Sequence, residues 1–164
     1  IEKGMTMKQF LTTALLVAGA ATAPTGSAAG FQSGDRAAIE SVLSTYEAAL
    51  NHADVESVLS LYADDGVFMP QHSLPSVGKD AVRAAYENVF KAISLEIAFT
   101  VDEVVQLAPT WAFARTRSQG FVSVHADGAR APEANQELFV FHKSAAGEWQ
   151  IARYIFSTTN PPRR

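Results

Sequence analysis

The segment YEAALNHADVESVLSLYADDGV, residues 46–67, is where the architecture of this chain can be read. Tyr46, Ala49 and Leu50 end an apolar stripe that starts at Ile39 and passes through Val42 and Leu43. The spacing is the i, i+3, i+4, i+7 of one buried helix face. Asp35 stands where an N-cap belongs. Asn51-His52-Ala53-Asp54 breaks the run, and Asp54 is placed to cap a second, short helix carrying Val55, Val58, Leu59 and Tyr62. Asp64-Asp65-Gly66 then reads as a turn, and Val67-Phe68-Met69-Pro70 as a short strand stopped by its proline.

Toward the C-terminus the period changes. Gln71 to Val77 reads as an irregular loop, and a third helix is predicted after Gly78, with Val82, Ala85, Tyr86, Val89, Phe90 and Ile93 on one face. Residues 95–107, 111–125, 133–143 and 149–157 are rich in β-branched and aromatic side chains, as strands are. Ala108-Pro109-Thr110, Asp127-Gly128 and Ala145-Ala146-Gly147 supply turn chemistry between them. Strands joined in sequence by short turns predict an antiparallel meander, and helices followed by strands predict an α+β domain. A curved sheet over a few helices leaves an apolar cavity at one end, a natural small-molecule site.

Toward the N-terminus the composition changes. Ile1 to Gly4 read as an expression scar or upstream translation. Met5, Lys8, an apolar stretch from Phe10 to Ala20, and the small-x-small sites Ala21-Thr22-Ala23 and Ser27-Ala28-Ala29 read as a signal peptide. Residues 1–30 are therefore set apart as tag remnant and signal peptide, and residues 31–164 as one domain. Export to the periplasm or medium is expected if the leader is cleaved, and a cytoplasmic protein otherwise. The chain has 164 residues, 13 Lys and Arg against 17 Asp and Glu, a net charge of −4, and no cysteine. That balance argues against nucleic acid as a partner, and the missing thiols remove disulfides, thiol nucleophiles and thiolate metal sites. No apolar run predicts a membrane span.

The segment quoted above resembles the opening of the SnoaL-like proteins, within the nuclear transport factor two-like, or ketosteroid-isomerase-like, superfamily. Val77-Gly78-Lys79-Asp80-Ala81-Val82, residues 135–141 (NQELFVF) and residues 147–157 (GEWQIARYIFS) are similar to that family as well, in particular to its small SgcJ/EcaC-like members. The resemblance spans about residues 35 to 157. It implies a cone-shaped α+β barrel, three N-terminal helices packed on a strongly curved antiparallel sheet, and a homodimer through the outer face of that sheet. Compared with ketosteroid isomerase, the oxyanion-binding Tyr corresponds to Tyr46 and the protonated oxyanion-hole Asp falls near Glu137. The general-base Asp corresponds to Met69, and a thioether cannot abstract a proton, so isomerisation by that route is not implied.

Glu137, Tyr46 and His72 are the candidate catalytic residues. Glu137 shares a strand face with Phe139 and Phe141 by period-two alternation. Desolvation there would raise its pKa and suit it as a donor or base; the alternative is a salt bridge to Arg115, Arg117 or Arg153. Tyr46 is either core or, by the family match, a pocket donor. His72, on the Gln71-His72-Ser73 loop, is either an acid–base group at the cavity mouth or an exposed loop histidine. Met69, Arg115, Arg117, Asn135, Phe139, Tyr154 and Phe156 are the candidate ligand-binding residues. Arg115 and Arg117 share one face: concave, it would favour an anionic or carbonyl ligand; convex, it would be solvated or form a dimer contact. Asn135 offers an amide contact or a turn role, and Tyr154 and Phe156 line the pocket or the dimer face. His52, His72, His125 and His142 show no metal-ligand spacing, so no metal and no cofactor is expected.

Two functions fit these residues. One is a pocket protein for a hydrophobic, oxygen-bearing small molecule, working as an acid–base isomerase, dehydratase or cyclase. The other is a non-catalytic exported module for oligomerisation or ligand carriage.

Overall fold

In a computed structural model, residues 34–161 are described; the segment read as tag remnant and signal peptide lies outside them. Helix α1 (Asp35–Asn51) and helix α2 (Val55–Leu61) are followed by strand β1 (Tyr62–Met69), a short β2 (Ser76–Val77) and helix α3 (Lys79–Ala92). Four long strands complete the domain: β3 (Ile93–Ala108), β4 (Trp111–Val124), β5 (Arg130–Lys143) and β6 (Trp149–Thr158). The α+β reading holds, with three helices against one sheet in the order β2-β1-β6-β5-β4-β3.

The sheet differs from the antiparallel expectation at one seam. The meander β3 to β6 is antiparallel throughout, but β1 runs parallel to β6, because α3 intervenes before the chain re-enters the sheet. The sheet is therefore mixed, and β2 and β3 remain as its two edges, so the cone is not closed. Asp64-Asp65-Gly66 is not a turn between elements; it is an irregularity inside β1, where the pairing with β6 shifts between Tyr62 and Val67. A Cβ on Gly66 would meet the Tyr62 ring at 2.7 Å, so the kink requires glycine. Tyr62 opens β1 instead of ending α2, and part of the expected 71–77 loop pairs with β1 as β2.

Helix caps divide in the same way. Asp54 caps α2 as expected, accepting from the Ser57 N–H at 3.0 Å. Asp35 does not cap α1; Gly34, at φ 102°, holds that position. The Asp35 carboxylate instead turns into the domain, where Lys143 Nζ (2.6 Å) and Trp149 Nε1 (3.1 Å) donate to it. These two hydrogen bonds hold its carboxyl below the usual aspartate range against the cost of burial.

Helix α1 lies on β3 and covers its open edge. Asn51 Nδ2 donates to the Ile97 carbonyl at 2.8 Å, and Asn51 Oδ1 accepts from the Ile97 N–H at 2.8 Å. Glu47 accepts from the Phe99 N–H at 2.5 Å. Two side chains thus occupy hydrogen-bonding groups that an edge strand would otherwise offer to another chain. Opposite Ile97 stands Gly120, where an added Cβ would approach the Glu96 carbonyl to 1.9 Å. This close approach leaves no room for a side chain at position 120. Ile39, Leu43, Tyr46, Phe139, Phe141 and Ile151 fill the interior they enclose.

Candidate functional site

Strand alternation sets the site. On β4, Ala112, Ala114, Thr116 and Ser118 face inward and are buried, while Arg115, Arg117 and Gln119 are exposed. On β5 the inward set is Glu133, Asn135, Glu137, Phe139 and Phe141, running from half-buried at one end of the strand to fully buried at the other. On β6, Tyr154 and Phe156 continue the same wall. Between this wall and α1, α3 and β1 lies a cavity of about 170 Å³. Its rim is half-buried, at Pro70, Val89, Ile93, Val122 and Glu133, and its floor is buried, at Tyr46, Phe68, Tyr86 and Tyr154. Asp35 and its partners sit at the opposite end of the strands.

Glu137 is 4% exposed and lines the cavity. The Thr116 hydroxyl donates to Glu137 Oε2 from the paired position on β4. Burial pushes the Glu137 carboxyl above the usual glutamate range, opposed by hydrogen bonds from Ser118 and Thr116 and aided by the negative charge of Asp102. Among the described residues no arginine pairs with it. Across the cavity three tyrosines form a chain: Tyr46 and Tyr86 share a hydroxyl–hydroxyl hydrogen bond, and Tyr62 meets Tyr86 at 3.1 Å. Burial drives all three phenols above the ordinary tyrosine range, so they act as neutral hydroxyls. Three hydroxyl protons and two links leave one proton over. Either oxygen can be the donor in each link, and Tyr46 and Tyr86 both line the cavity.

Asn135, Tyr154 and Phe156 also line the cavity, and five other candidate residues do not. Arg115 and Arg117 occupy the outer face, because the inward positions of β4 hold small side chains that admit the helices. Arg115 binds Asp102 at 2.7 Å and Glu103 at 2.9 Å, and Arg117 binds Asp102 at 3.0 Å. Met69 pairs with Ile155, an exposed outer-face residue, while its neighbour Phe68 pairs with Tyr154 and lines the cavity. The one-residue alternation of β1 excludes the thioether from the lining. Phe139 lies deeper, fully buried beneath Tyr154, with ring centroids 4.2 Å apart. His72 is exposed in its loop, at φ 60°, and is absent from the cavity wall.

Sequence reasoning missed Thr116, Ser118 and Tyr86. Their signal was present: Ala112-x-Ala114-x-Thr116-x-Ser118-x-Gly120 is a run of small residues at period two, the mark of a strand face under helices. Tyr86 was read only as part of a helix face. Among the described residues no three His, Asp or Glu side chains converge as metal ligands would, and no helix is long and apolar enough to cross a membrane.

Comparison with known proteins adds to this geometry. Residues 32–155 match the model of the SnoaL-like domain. A ketosteroid isomerase-like protein from Erwinia carotovora atroseptica SCRI1043 is 41% identical, with a TM-score of 0.74, over 76% of this chain and 96% of that one. A candidate scytalone dehydratase from Novosphingobium aromaticivorans DSM 12444 shares the fold at 18% identity and a TM-score of 0.67, over 76% and 84%. A hexachlorocyclohexane dehydrochlorinase, LinA type 2, does so at 12% identity and a TM-score of 0.68, over 76% and 85%.

Proposed function

The chain belongs to the SnoaL-like family, and from that premise we propose that it binds a small, hydrophobic, oxygen-bearing molecule in the cavity and transforms it by acid–base chemistry of the isomerase or dehydratase type. The observation that carries this reading is the buried Glu137 carboxyl on one wall with the Tyr46–Tyr86 hydroxyls on the floor. A carboxyl whose pKa is raised by burial is a better proton carrier than an exposed one. The hydroxyl proton left over in the tyrosine chain, carried by Tyr46 or Tyr86, donates to oxygen as negative charge develops there. The relatives add support, since one is described as isomerase-like and two others as a candidate dehydratase and a dehydrochlorinase.

The test is a thermal-shift screen of single-ring alcohols, ketones and halides, followed by turnover assays on the compounds that bind. A ligand at a hundred times its dissociation constant stabilises by about 2.7 kcal/mol. Binding and turnover in the wild type, with turnover lost and binding kept in Glu137→Gln, is the expected result. Binding without turnover in either protein would favour the second reading, a ligand carrier. That reading draws on the exclusion of His72 from the cavity wall, which leaves the lining few proton-transfer groups. The same proposal includes a homodimer through the outer face of the sheet, where Leu138 and Ile155 are 40% and 44% exposed on neighbouring strands. Light scattering at micromolar concentration tests it.

A further inference from the structure

Glu137 is one member of a polar ladder on the inner faces of β4 and β5. Asn135 Nδ2 donates to Glu133 Oε1 at 2.9 Å and to Ser118 Oγ at 3.4 Å. Thr116 donates to Glu137 one step deeper. The Glu133 oxygen fixes the orientation of the amide, because only its NH₂ end can donate to a carboxylate. The other end is then an acceptor. Asn135 is 8% exposed, and its Oδ1 is buried without a hydrogen-bond partner among the described residues, in a side chain that lines the cavity. Buried acceptors are ordinarily satisfied, so an unpaired acceptor in a side chain of the cavity wall points to a donor arriving with the ligand, met as the amide turns its oxygen toward the lining.

Charge and size narrow the class. The wall carries Glu133 and Glu137, and both arginines that could have balanced an anion stand outside, paired to Asp102 and Glu103. A carboxylate ligand would meet two acids, and a ketone would set oxygen against oxygen at Asn135. The cavity, about 170 Å³, is close to the roughly 150 Å³ known to hold one benzene. We infer, resting on the reading of this cavity as a small-molecule site, that its ligand is a neutral, single-ring alcohol or phenol whose O–H donates to Asn135 Oδ1. Asn135 is in that case a specificity-determining residue, selecting hydroxyl over carbonyl on the same skeleton. The hydroxyl proton left over in the tyrosine chain, carried by Tyr46 or Tyr86, provides the complementary donor for a ligand oxygen.

Calorimetric titration of the full chain with two matched pairs, cyclohexanol against cyclohexanone and phenol against fluorobenzene, tests the inference. The hydroxyl member of each pair is expected to bind at least about tenfold more tightly. Asn135→Leu, which keeps the volume and removes the acceptor, is expected to bring both ratios to about one by weakening the hydroxyl compounds alone. Equal affinities within the wild-type pairs, or a preference for the ketone, overturn the hydroxyl class while leaving the cavity as a ligand site. A hydroxyl preference that persists in Asn135→Leu overturns the role of Asn135. Failure of all four compounds to bind the wild type overturns both the inference and the reading beneath it. The wild-type ratios decide the ligand class even if the variant does not fold, and Arg117→Ala, on the outer face and paired to Asp102, is then expected to keep them.

Discussion

Thr116 and Glu137 face each other across the β4–β5 pair, and the threonine hydroxyl donates to the buried carboxyl of the glutamate. The pairing gives the acid one fixed oxygen and turns the remainder of the group toward the cavity. Burial outweighs the hydrogen bonds from Ser118 and Thr116, which favour the charged form, and keeps the carboxyl protonated to higher pH than an exposed glutamate.

That shift has a sign that can be measured. Between the unfolded glutamate value of about 4.3 and the higher folded value, the native state holds a proton that the unfolded chain has released. Stability contributed by Glu137 is therefore complete below about pH 4.3 and falls as pH rises through the folded pKa. Urea denaturation at a series of pH values should show this decline in the wild type. Subtracting the Glu137→Gln series should isolate it, and parallel curves would contradict the raised pKa.

Asp35 has the opposite sign. Its folded pKa is depressed by Lys143 and Trp149, so its contribution is present above about pH 3.9 and is lost as pH falls through the depressed value. Asp35→Ala should destabilise by about 1–3 kcal/mol at pH 7, since it leaves the Trp149 N–H and the Lys143 ammonium without their acceptor. Acid unfolding of the variant should begin from a lower plateau and respond less to pH below 4.

The tyrosine chain depends on its central member. Tyr86→Phe removes the hydroxyl that links Tyr46 to Tyr62. A loss of about 1–3 kcal/mol is expected from the two hydroxyls left in an apolar interior. Tyr62→Phe removes only an end of the chain and should cost less. Chemical denaturation of the two variants checks the order.

Arg115→Ala and Arg117→Ala should leave ligand affinity unchanged, because both guanidiniums lie on the outer face. Exposed ion pairs add little to stability, so the melting temperatures should also move little. A marked loss of ligand binding in either variant would show that the site extends through the sheet.

The sequence exposed the elements better than their faces. Every long strand and all three helices were legible from period, since apolar spacing and turn residues are local signals. Alternation also showed correctly that Arg115 shares a face with Arg117, and Glu137 with Phe139. It could not say which face was concave, because that depends on where helices settle after the chain has folded. The small residues at Ala112, Ala114, Thr116 and Ser118 held the answer, as only a covered face tolerates so little side-chain volume. Met69 failed for a related reason: matching a motif located the strand end, but a shift of one residue exchanges inside for outside. The parallel seam between β1 and β6 was hidden because nothing local distinguishes it.

The inner face of β5 grades from Glu133 and Asn135 through Glu137 to Phe139 and Phe141 along a single strand. In the function proposed above, residues at the rim bear on ligand choice, while those at the deep end belong to the core. Changes at well-separated, non-contacting positions tend to add independently. An engineer could therefore redraw substrate preference at 133 and 135 while Phe139 and Phe141 keep the scaffold intact. The same separation would let descendants of one ancestral gene diverge in chemistry without a loss of foldability.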